Sequence, residues 1–537
     1  MRHPSICSTA VLSLSLSLAM ASTAWGDSHA HAPGKSPEQL GEVSFPTSCQ
    51  PAVQPKFTRA VALLHSFWFS EGEKAFRDVL AQDPECAIAN WGIAAILIGN
   101  TFGGNPTPEE VKKAQEAIDR GRATGAKTER ERMYLEAVAQ YWQNFGDRPP
   151  GARMKSLSNA FEDLAKRYPQ DDEAQIFSAI YLTATQAPTD KTFSATLKAA
   201  AILEPQFAKH PNHPGVAHYL IHSYDFPPIA AKGLTAARRY AEIAPSAPHA
   251  LHMPSHIFTR VGAWQDSIAS NRRSADTAKA DKSPGDWLHA LDYMTYADLQ
   301  LARDRDAALA INEARSVTDL NPASMGTSYA LAAMPARYAV ERGMWKDAAL
   351  LEPRKSRFAF TDAITWFAQS LGAARSGDLT LAEQGAKELG DIAEALKAAG
   401  NAYWATEVSV QHRAALAWIA YARGNRDAAL TQMRAAADME DSSEKSAVTP
   451  GRLIPARELL ADMLVQNGQP AEALAEYERS QVRDPNRLRS LYGAGLAAVQ
   501  TGNREKARYF YAPVVLLGGS SNSRPELKQV RDYLASN

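Results

Sequence analysis

A recurring glycine spacing limits most strongly what this chain can fold into. Gly343 and Gly377 are 34 residues apart, as are Gly468 and Gly502, and a small residue such as Ala348 follows five positions after the glycine. A fixed period of this length is typical of helical repeat proteins. Glycine allows a sharp turn between two helices, and the small residue lets those helices pack closely. The spacing therefore predicts a series of helical hairpins.

The composition agrees with one long folded array. The chain has 537 residues, of which 45% are apolar and 22% are charged, and its formal net charge is -1. This apolar content excludes wholesale disorder, and the balanced charge gives no general attraction to nucleic acid or anionic lipid. Aromatic residues make up 8% and do not alternate with basic clusters, so we expect no nucleic-acid partner. From length alone we would expect about three or four domains, but the repeat predicts one continuous array instead.

Three segments carry a family resemblance. The stretches GMWKDAALLEP, GQPAEALAEYERSQVRDP and GNREKARYFYAP resemble tetratricopeptide repeats (TPR). The resemblance implies an all-α fold, a right-handed α-solenoid of TPR-like helical hairpins over residues 56–537. This span includes His-rich repeats at 210–300, C-terminal repeats at 330–537 and an inserted loop at 438–451. In this family the first helix of each hairpin lines a concave groove, which implies a peptide, protein or small-molecule ligand.

The N-terminus has the pattern of an export signal. A short basic start, an apolar stretch and small residues near position 26 predict a signal peptide at 1–26, and a flexible leader is expected at 27–55. We therefore expect a periplasmic or secreted protein with no transmembrane segment after signal cleavage. In an oxidising compartment, Cys49 and Cys86 are expected to form a disulfide. The alternative is two unpaired, partly buried thiols.

Histidine is concentrated in one part of the chain. Seven of the 13 histidines fall within residues 210–256. His218 and His222 are four residues apart, as are His252 and His256, so each pair shares one face of a helix. The second pair follows the first by 34 residues, which is one repeat period. The two pairs are therefore expected to occupy equivalent positions in neighbouring hairpins and to stack side by side.

Stacked histidine pairs favour a metal site. Helices pack about 8–10 Å apart and residues four apart on a helix lie about 6 Å apart, so four imidazoles can meet at one ion or two. Asp225 follows His222 by three residues and His289 lies about one period after His256, so both are candidate further ligands. Imidazole with a carboxylate suits zinc or copper, and also iron or nickel. The alternative is a set of histidines that serves packing alone.

Four further residues are candidates for the ligand groove. Arg260 and His65 map to groove positions of the TPR pattern. Trp287 and Tyr293 are candidate aromatic contacts, although aromatic residues at helical spacing also suit a hydrophobic core.

The paired H-x-x-x-H helices carry a second, narrower resemblance. Over residues 213–300 they are similar to a bacterial branch related to tetratricopeptide repeat protein 38. This resemblance implies that the histidine pairs form a family site, and it implies no activity. His213 and His249 lie near helix starts, where we expect capping or supporting roles.

Three functions follow from these patterns. The first is an exported TPR-like scaffold whose groove binds a peptide, protein or small ligand and carries a His-cluster metal site. The second is a copper-, zinc- or iron-dependent hydrolase or oxidoreductase built on the histidine pairs, in which Arg260 holds an anionic group and the catalytic residues are not identified. The third is a metal-free protein–protein interaction module.

Overall fold

The computed structural model describes residues 38–103, 106–318, 320 and 324–536. Within these ranges the chain is all-α and contains no strand. The predicted signal peptide and the predicted leader up to residue 37 lie outside the described residues. Each helix in the described ranges is too short or too polar to cross a lipid bilayer.

The first part of the chain consists of helices that pack as successive hairpins. They are α1 (Gln54–His65), α2 (Phe69–Gln82), α3 (Ile88–Ile96), α4 (Pro108–Thr124), α5 (Glu129–Trp142), α6 (Pro150–Arg167), α7 (Asp172–Thr183) and α8 (Ser194–Lys209). Short 3-10 helices at Pro51–Val53 and Phe145–Asp147 precede α1 and α6.

The His-rich repeats form three hairpins, α9 with α10, α11 and α12 with α13, and α14 with α15. Their helices are α9 (Pro214–Tyr224), α10 (Leu234–Ile243), α11 (Pro248–His252), α12 (Pro254–Arg260), α13 (Trp264–Ala280), α14 (Pro284–Gln300) and α15 (Asp304–Arg315). The first helices of these hairpins are neighbours, since α9 packs on α12 and α11 packs on α14. A short 3-10 helix, Ala230–Gly233, precedes α10.

The C-terminal repeats continue the array, so the predicted all-α solenoid of TPR-like hairpins is confirmed. Their helices are α16 (Met325–Glu341), α17 (Trp345–Ala349), α18 (Ala359–Ser376), α19 (Leu379–Ala398), α20 (Ala402–Ala422), α21 (Arg426–Asp441), α22 (Ala456–Gln466), α23 (Pro470–Arg483), α24 (Leu488–Gln500), α25 (Arg504–Gly518) and α26 (Pro525–Ser536).

The turn between α12 and α13 shows why glycine and a small residue recur. Gly262 has a φ of 69°, a left-handed conformation that favours glycine. A Cβ at this position would lie 2.7 Å from the Cβ of Asn486, in the turn between α23 and α24. Ser267, five residues further on, is fully buried against the partner helix. The same glycine therefore makes the turn and lets the C-terminal repeats approach the His-rich repeats.

Contacts across the array hold the inserted loop beside the His-rich repeats. The predicted insertion at 438–451 overlaps an irregular segment, residues 442–455, between α21 and α22, but its first four residues belong to α21. Lys191 donates a hydrogen bond to Glu444 of this segment at 2.8 Å. The fully buried guanidinium of Arg487 donates to Tyr296 of α14 at 2.7 Å. Nζ of Lys445, in the same segment, lies 3.9 Å from the carboxylate of Asp225, so the loop lies against the His-rich repeats.

The disulfide between Cys49 and Cys86 is confirmed, with its Cα atoms 4.8 Å apart. It joins the segment before α1 to the turn between α2 and α3. In the same segment Phe45 is 1% exposed, and its ring centre lies 5.2 Å from that of Phe57. The part of the predicted flexible leader that the structure describes is therefore anchored to the hydrophobic core through the buried side chains of Leu40, Phe45 and Val53.

Removal of this disulfide by the double substitution Cys49→Ser and Cys86→Ser is expected to lower the free energy of unfolding by about 3 kcal/mol. The bond closes a loop with a sequence separation of 37 residues, which restricts the unfolded chain. Urea unfolding of the variant and the oxidised protein measures the difference. Reduced wild-type protein is the control and should match the variant. A difference below about 0.5 kcal/mol would contradict the expectation.

Candidate metal centre

Six histidines from the first halves of three successive hairpins meet in the middle of the His-rich repeats. They are His218 and His222 of α9, His249 and His252 of α11, His256 of α12 and His289 of α14. The start of α9 is fixed as the sequence predicts, because His213 accepts a hydrogen bond from the backbone N–H of Val216 and Pro214 begins the helix.

The Nε2 atoms of each predicted pair face one another. They are 3.1 Å apart in His218 and His222, and 3.0 Å apart in His252 and His256. Two nitrogens that each bind one ion at about 2 Å, at an angle near 100°, are separated by about 3 Å. The geometry of each pair therefore matches two ligands of one metal ion.

A third histidine joins each pair and makes two triads. The first triad is His218, His222 and His249, and the second triad is His252, His256 and His289. In each triad the three candidate ligand atoms lie within 4.8 Å of one another. The ring centres of His222 and His256 are 5.7 Å apart, so the triads are neighbours. The structure brings together all five predicted histidine ligands and adds His249.

Hydrogen bonds determine which nitrogens of the second pair carry the protons. Nδ1 of His256 lies 3.0 Å from a carboxylate oxygen of Asp225, and Nδ1 of His252 lies 2.6 Å from the side-chain oxygen of Asn271. The amide nitrogen of Asn271 donates to the carbonyl of Ser267 at 2.7 Å, so its oxygen is the acceptor. Both Nδ1 atoms are therefore donors, and both Nε2 atoms present lone pairs to each other. Two lone pairs that face each other at this distance repel, and a cation between them would remove the repulsion.

Tyr293 of α14 also contacts this pair, as the sequence suggests. Its hydroxyl lies 3.3 Å from Nε2 of His256, and its ring centre lies 4.6 Å from that of His252. The hydroxyl can donate to the lone pair of His256. The lone pair of His252 still has no donor among these groups.

The first triad contains nitrogens without hydrogen-bond partners. Nδ1 of His218 lies 2.6 Å from the backbone carbonyl of His65, so it donates there and leaves Nε2 as the acceptor. Among the described residues, no group hydrogen-bonds Nδ1 of His222 or Nε2 of His249. Buried polar atoms without a partner are rare in folded proteins, and an additional ligand is one explanation for them.

Burial favours the neutral form of all six imidazoles. Desolvation lowers the pKa of His218 and of His289 to about 3. The same cause lowers the pKa of the other four, and in His256 the neighbouring Asp225 partly offsets it. Only a neutral imidazole has a lone pair free for a metal. At neutral pH the six imidazoles are therefore in the neutral form, which is the form that a metal ligand requires.

Asp225 lies behind the second triad instead of pointing a free oxygen into it. Its carboxylate accepts from Nδ1 of His256 and from Nε of Arg260 at 2.7 Å, and Nζ of Lys445 is 3.9 Å away. Desolvation raises the pKa of this carboxyl, but the charges of Lys445 and Arg260 and the bond from His256 hold it well below its ordinary value. A carboxylate on the outer nitrogen of a metal-binding histidine fixes the orientation of the ring.

Arg260 and Trp287 are engaged by protein groups. The guanidinium of Arg260 is buried and donates to both the carboxylate and the backbone carbonyl of Asp225, so it is not directed at a ligand. Trp287 of α14 donates to Glu313 of α15 at 2.8 Å. Trp287 also packs against the hydrophobic core of that hairpin, apart from the triads.

His65 belongs to a neighbouring hydrogen-bond network. Its ring nitrogens lie 2.9 Å from the hydroxyl of Tyr219 and 2.9 Å from the carboxylate of Glu173. Glu173 also accepts from His213 at 3.0 Å, and the other nitrogen of His213 accepts from Val216. Every ring nitrogen in this network has a partner, so it needs no metal. The backbone carbonyl of His65 links this network to the triads, because it accepts a hydrogen bond from Nδ1 of His218.

Two cavities reach the triads. One has a volume of about 390 Å³ and includes His222 and Asp225 in its wall. The other has a volume of about 410 Å³ and includes His249 and His289. Each triad therefore presents at least one histidine to a cavity.

Sequence reasoning gave His249 only a capping or supporting role, and it did not identify Asn271, Lys445 or Phe102, whose ring stacks on His222. His249 lies three residues before His252 and so shares its helix face, a signal that would have identified it. Asn271, Phe102 and Lys445 come from other helices and loops. Nothing in their sequence spacing relates them to the histidine pairs.

Three solved structures align with most of this chain at low sequence identity. No protein-family model matches the chain, and no curated protein sequence matches it. Human IFIT1, in a dimer with PPP-AAAA, aligns over 81% of this chain and 91% of its own, at 11% identity and a TM-score of 0.38. Yeast Tom70 aligns over 90% and 95%, at 12% identity and a TM-score of 0.30. The TPR domain of P58(IPK) aligns over 90% and 99%, at 11% identity and a TM-score of 0.22. Likeness at this level assigns no ligand, partner or activity.

Proposed function

We propose that this protein is a helical-repeat scaffold that binds two transition-metal ions, one at each histidine triad. The observation that carries the proposal is the pair of Nε2 lone pairs on His252 and His256, which face each other at 3.0 Å while both Nδ1 atoms donate elsewhere. A cation between them removes the repulsion. The same spacing in His218 and His222 supports a second ion.

The donor atoms support zinc or copper as the metal. Imidazole suits zinc, copper, iron and nickel, and a site of given geometry generally binds copper more tightly than zinc. The two cysteines of the described residues are joined in a disulfide and supply no thiolate. Asp225, Asn271 and the carbonyl of His65 would hold the rings of the ligating histidines in place.

We also propose that the protein is exported to the periplasm or secreted. The Cys49–Cys86 disulfide supports this location, since disulfides persist mainly in oxidising compartments. We expect a small-molecule ligand in preference to a peptide or protein. The cavities of about 390 and 410 Å³ beside the triads have the size of small-molecule sites.

A metal-dependent enzyme is the second candidate function. The observation that favours it is that each triad supplies three ligands, because three-histidine sites leave a coordination position open for water or substrate. A bound zinc or copper ion would supply Lewis acidity there, and copper would also supply redox chemistry. His222 and His289, each at a cavity wall, mark the sides from which a substrate would approach.

Elemental analysis of protein purified without an affinity tag tests the proposal. After reconstitution with zinc or copper and removal of free metal, we expect about two ions per chain. His222→Ala and His256→Ala are each expected to retain about one ion, because each removes a ligand from a different triad. The double variant is expected to retain fewer than about 0.1 ions per chain.

The matched control is His412→Ala, a half-buried histidine of α20 outside both triads, and it should leave the metal content unchanged. Wild-type content below about 0.1 ions per chain would overturn the proposal and favour the metal-free interaction module. If the wild type instead binds one ion per chain and each single variant loses it, the six histidines form one shared site and not two.

A further inference from the structure

The cavity beside the first triad has walls that are rich in aromatic rings. Its volume is about 390 Å³. The aromatic residues in its wall are Phe102, Phe226, Phe358, Phe360, Tyr403 and Trp404. They come from the α3–α4 loop, the end of α9, the start of α18 and the start of α20. Because these residues come from four separate segments, the amphipathic pattern of a single helix does not predict that they form one wall.

Two stacked pairs shape this wall. The ring of Phe102 stacks on His222 with ring centres 4.2 Å apart and planes inclined by 26°. Phe360 and Trp404 stack with centres 4.0 Å apart and planes inclined by 5°. Phe102 and Trp404 are only partly buried and line the cavity. Aromatic faces and edges of this kind attract a further planar ring by offset or edge-to-face packing.

The charged groups of the cavity are already paired within the protein. Nζ of Lys445 donates to the backbone carbonyls of Ser446 and Thr449, at 3.1 and 2.5 Å. Asp225 is engaged by His256 and Arg260, as described above. His222 differs, because its Nδ1 has no partner among the described residues. The cavity therefore combines aromatic walls with one face of a metal-binding triad.

We propose that this cavity binds a small aromatic molecule of one or two fused rings that carries a hydroxyl group. The ring packs against the aromatic wall, and the oxygen lies toward the first triad. The inference rests on the proposed function, because a metal ion at the triad is the partner of that oxygen. A hydroxyl suits this place, since a bound metal polarises an oxygen ligand and lowers its pKa. Cavities of this size commonly hold small ligands.

Isothermal titration calorimetry with 2-naphthol tests the inference on the full chain. Zinc is the loading metal because it has no redox chemistry and leaves the probe unchanged. The comparison ligand is decahydro-2-naphthol, which keeps the hydroxyl and a similar bulk but lacks the aromatic ring. We expect zinc-loaded protein to bind 2-naphthol about tenfold more tightly than the saturated analogue. Metal-free protein is expected to bind 2-naphthol about tenfold more weakly than zinc-loaded protein.

A pair of phenylalanine variants locates the binding. Phe102→Leu keeps an apolar side chain in the α3–α4 loop but removes the ring, and it is expected to weaken 2-naphthol binding about tenfold. The control is Phe145→Leu, another partly buried phenylalanine, whose ring packs against Trp142 at 5.5 Å and does not line this cavity. The control should leave 2-naphthol binding unchanged. Circular dichroism and zinc content confirm that both variants are folded and loaded.

The outcomes separate this inference from the proposed function. Two zinc ions per chain with a Kd for 2-naphthol above about 1 mM would overturn the aromatic ligand and leave the metal function standing. Equal affinity for 2-naphthol and its saturated analogue, or equal loss in both phenylalanine variants, would also overturn it. If zinc does not bind, but metal-free protein binds 2-naphthol and Phe102→Leu weakens that binding, the aromatic cavity is supported while the metal function fails.

Discussion

Lowering the pH from 7 to 5 is expected to reduce the metal affinity of the histidine cluster by less than about tenfold. A histidine with an ordinary pKa near 6.5 is only about 3% neutral at pH 5, so a site of three such ligands loses roughly 10⁴- to 10⁵-fold in affinity. Here burial lowers the pKa of His218 and His289 to about 3, and it lowers the pKa of the other four ligands as well. A lowered pKa means that protons compete with the metal only at more acidic pH.

Equilibrium competition with a chelator of known pH dependence, at pH 7, 6 and 5, measures this effect. The control is a helical peptide with two exposed histidines four residues apart, whose affinity should fall steeply over the same range. A loss of more than about 100-fold in the protein by pH 5 would show that the ligands titrate near their ordinary pKa. That result would contradict the role assigned to burial.

Replacing Asp225 by asparagine is expected to lower the free energy of unfolding by about 3 kcal/mol, because Arg260 and Lys445 then lose their buried counter-charge. The same change is expected to weaken the second triad's metal affinity by about 10- to 100-fold, since His256 loses the carboxylate on its outer nitrogen. The first triad keeps its own supports, including the carbonyl of His65. Partial chelation should therefore remove one ion from the variant before the other.

The matched control is Asp172→Asn. Asp172 also contacts a lysine and a histidine, Lys209 and His210, but its side chain is 27% exposed. A pair of this kind near the surface contributes about 0–1 kcal/mol, so little change in stability or metal content is expected. Urea unfolding and metal analysis of both variants give the comparison. Equal effects of the two substitutions would show that the burial of Asp225 is not the cause of the loss in stability or metal affinity.

Much of the architecture could be predicted from sequence because it depends on short-range rules. The glycine period predicted the hairpins, and the turn at Gly262 has the left-handed conformation that this requires. Two histidines four residues apart must share a helix face, and one repeat period between the pairs places those faces side by side. For these reasons the sequence alone assigns His218 and His252 to one cluster. The disulfide followed from the expected compartment.

The internal arrangement of the cluster required the tertiary structure. Whether Nδ1 or Nε2 is free depends on acceptors from distant elements, such as Asn271 of α13 and the carbonyl of His65 at the end of α1. The role of Asp225 also changed, because Arg260 and Lys445 engage its carboxylate behind the second triad. Spacing along a helix gives the face of a residue but neither its rotamer nor its hydrogen-bond partner.

The sequence by itself therefore determined an array of helical hairpins and a meeting point for histidines, because both are set by residue periods within the chain. Only the tertiary structure decided that the histidines form two triads and that a cavity with aromatic walls adjoins one of them. Phe102 and Trp404 reach that cavity from segments 302 residues apart in the sequence. Their meeting depends on how the C-terminal repeats and the inserted loop pack on the His-rich repeats, which no local pattern encodes.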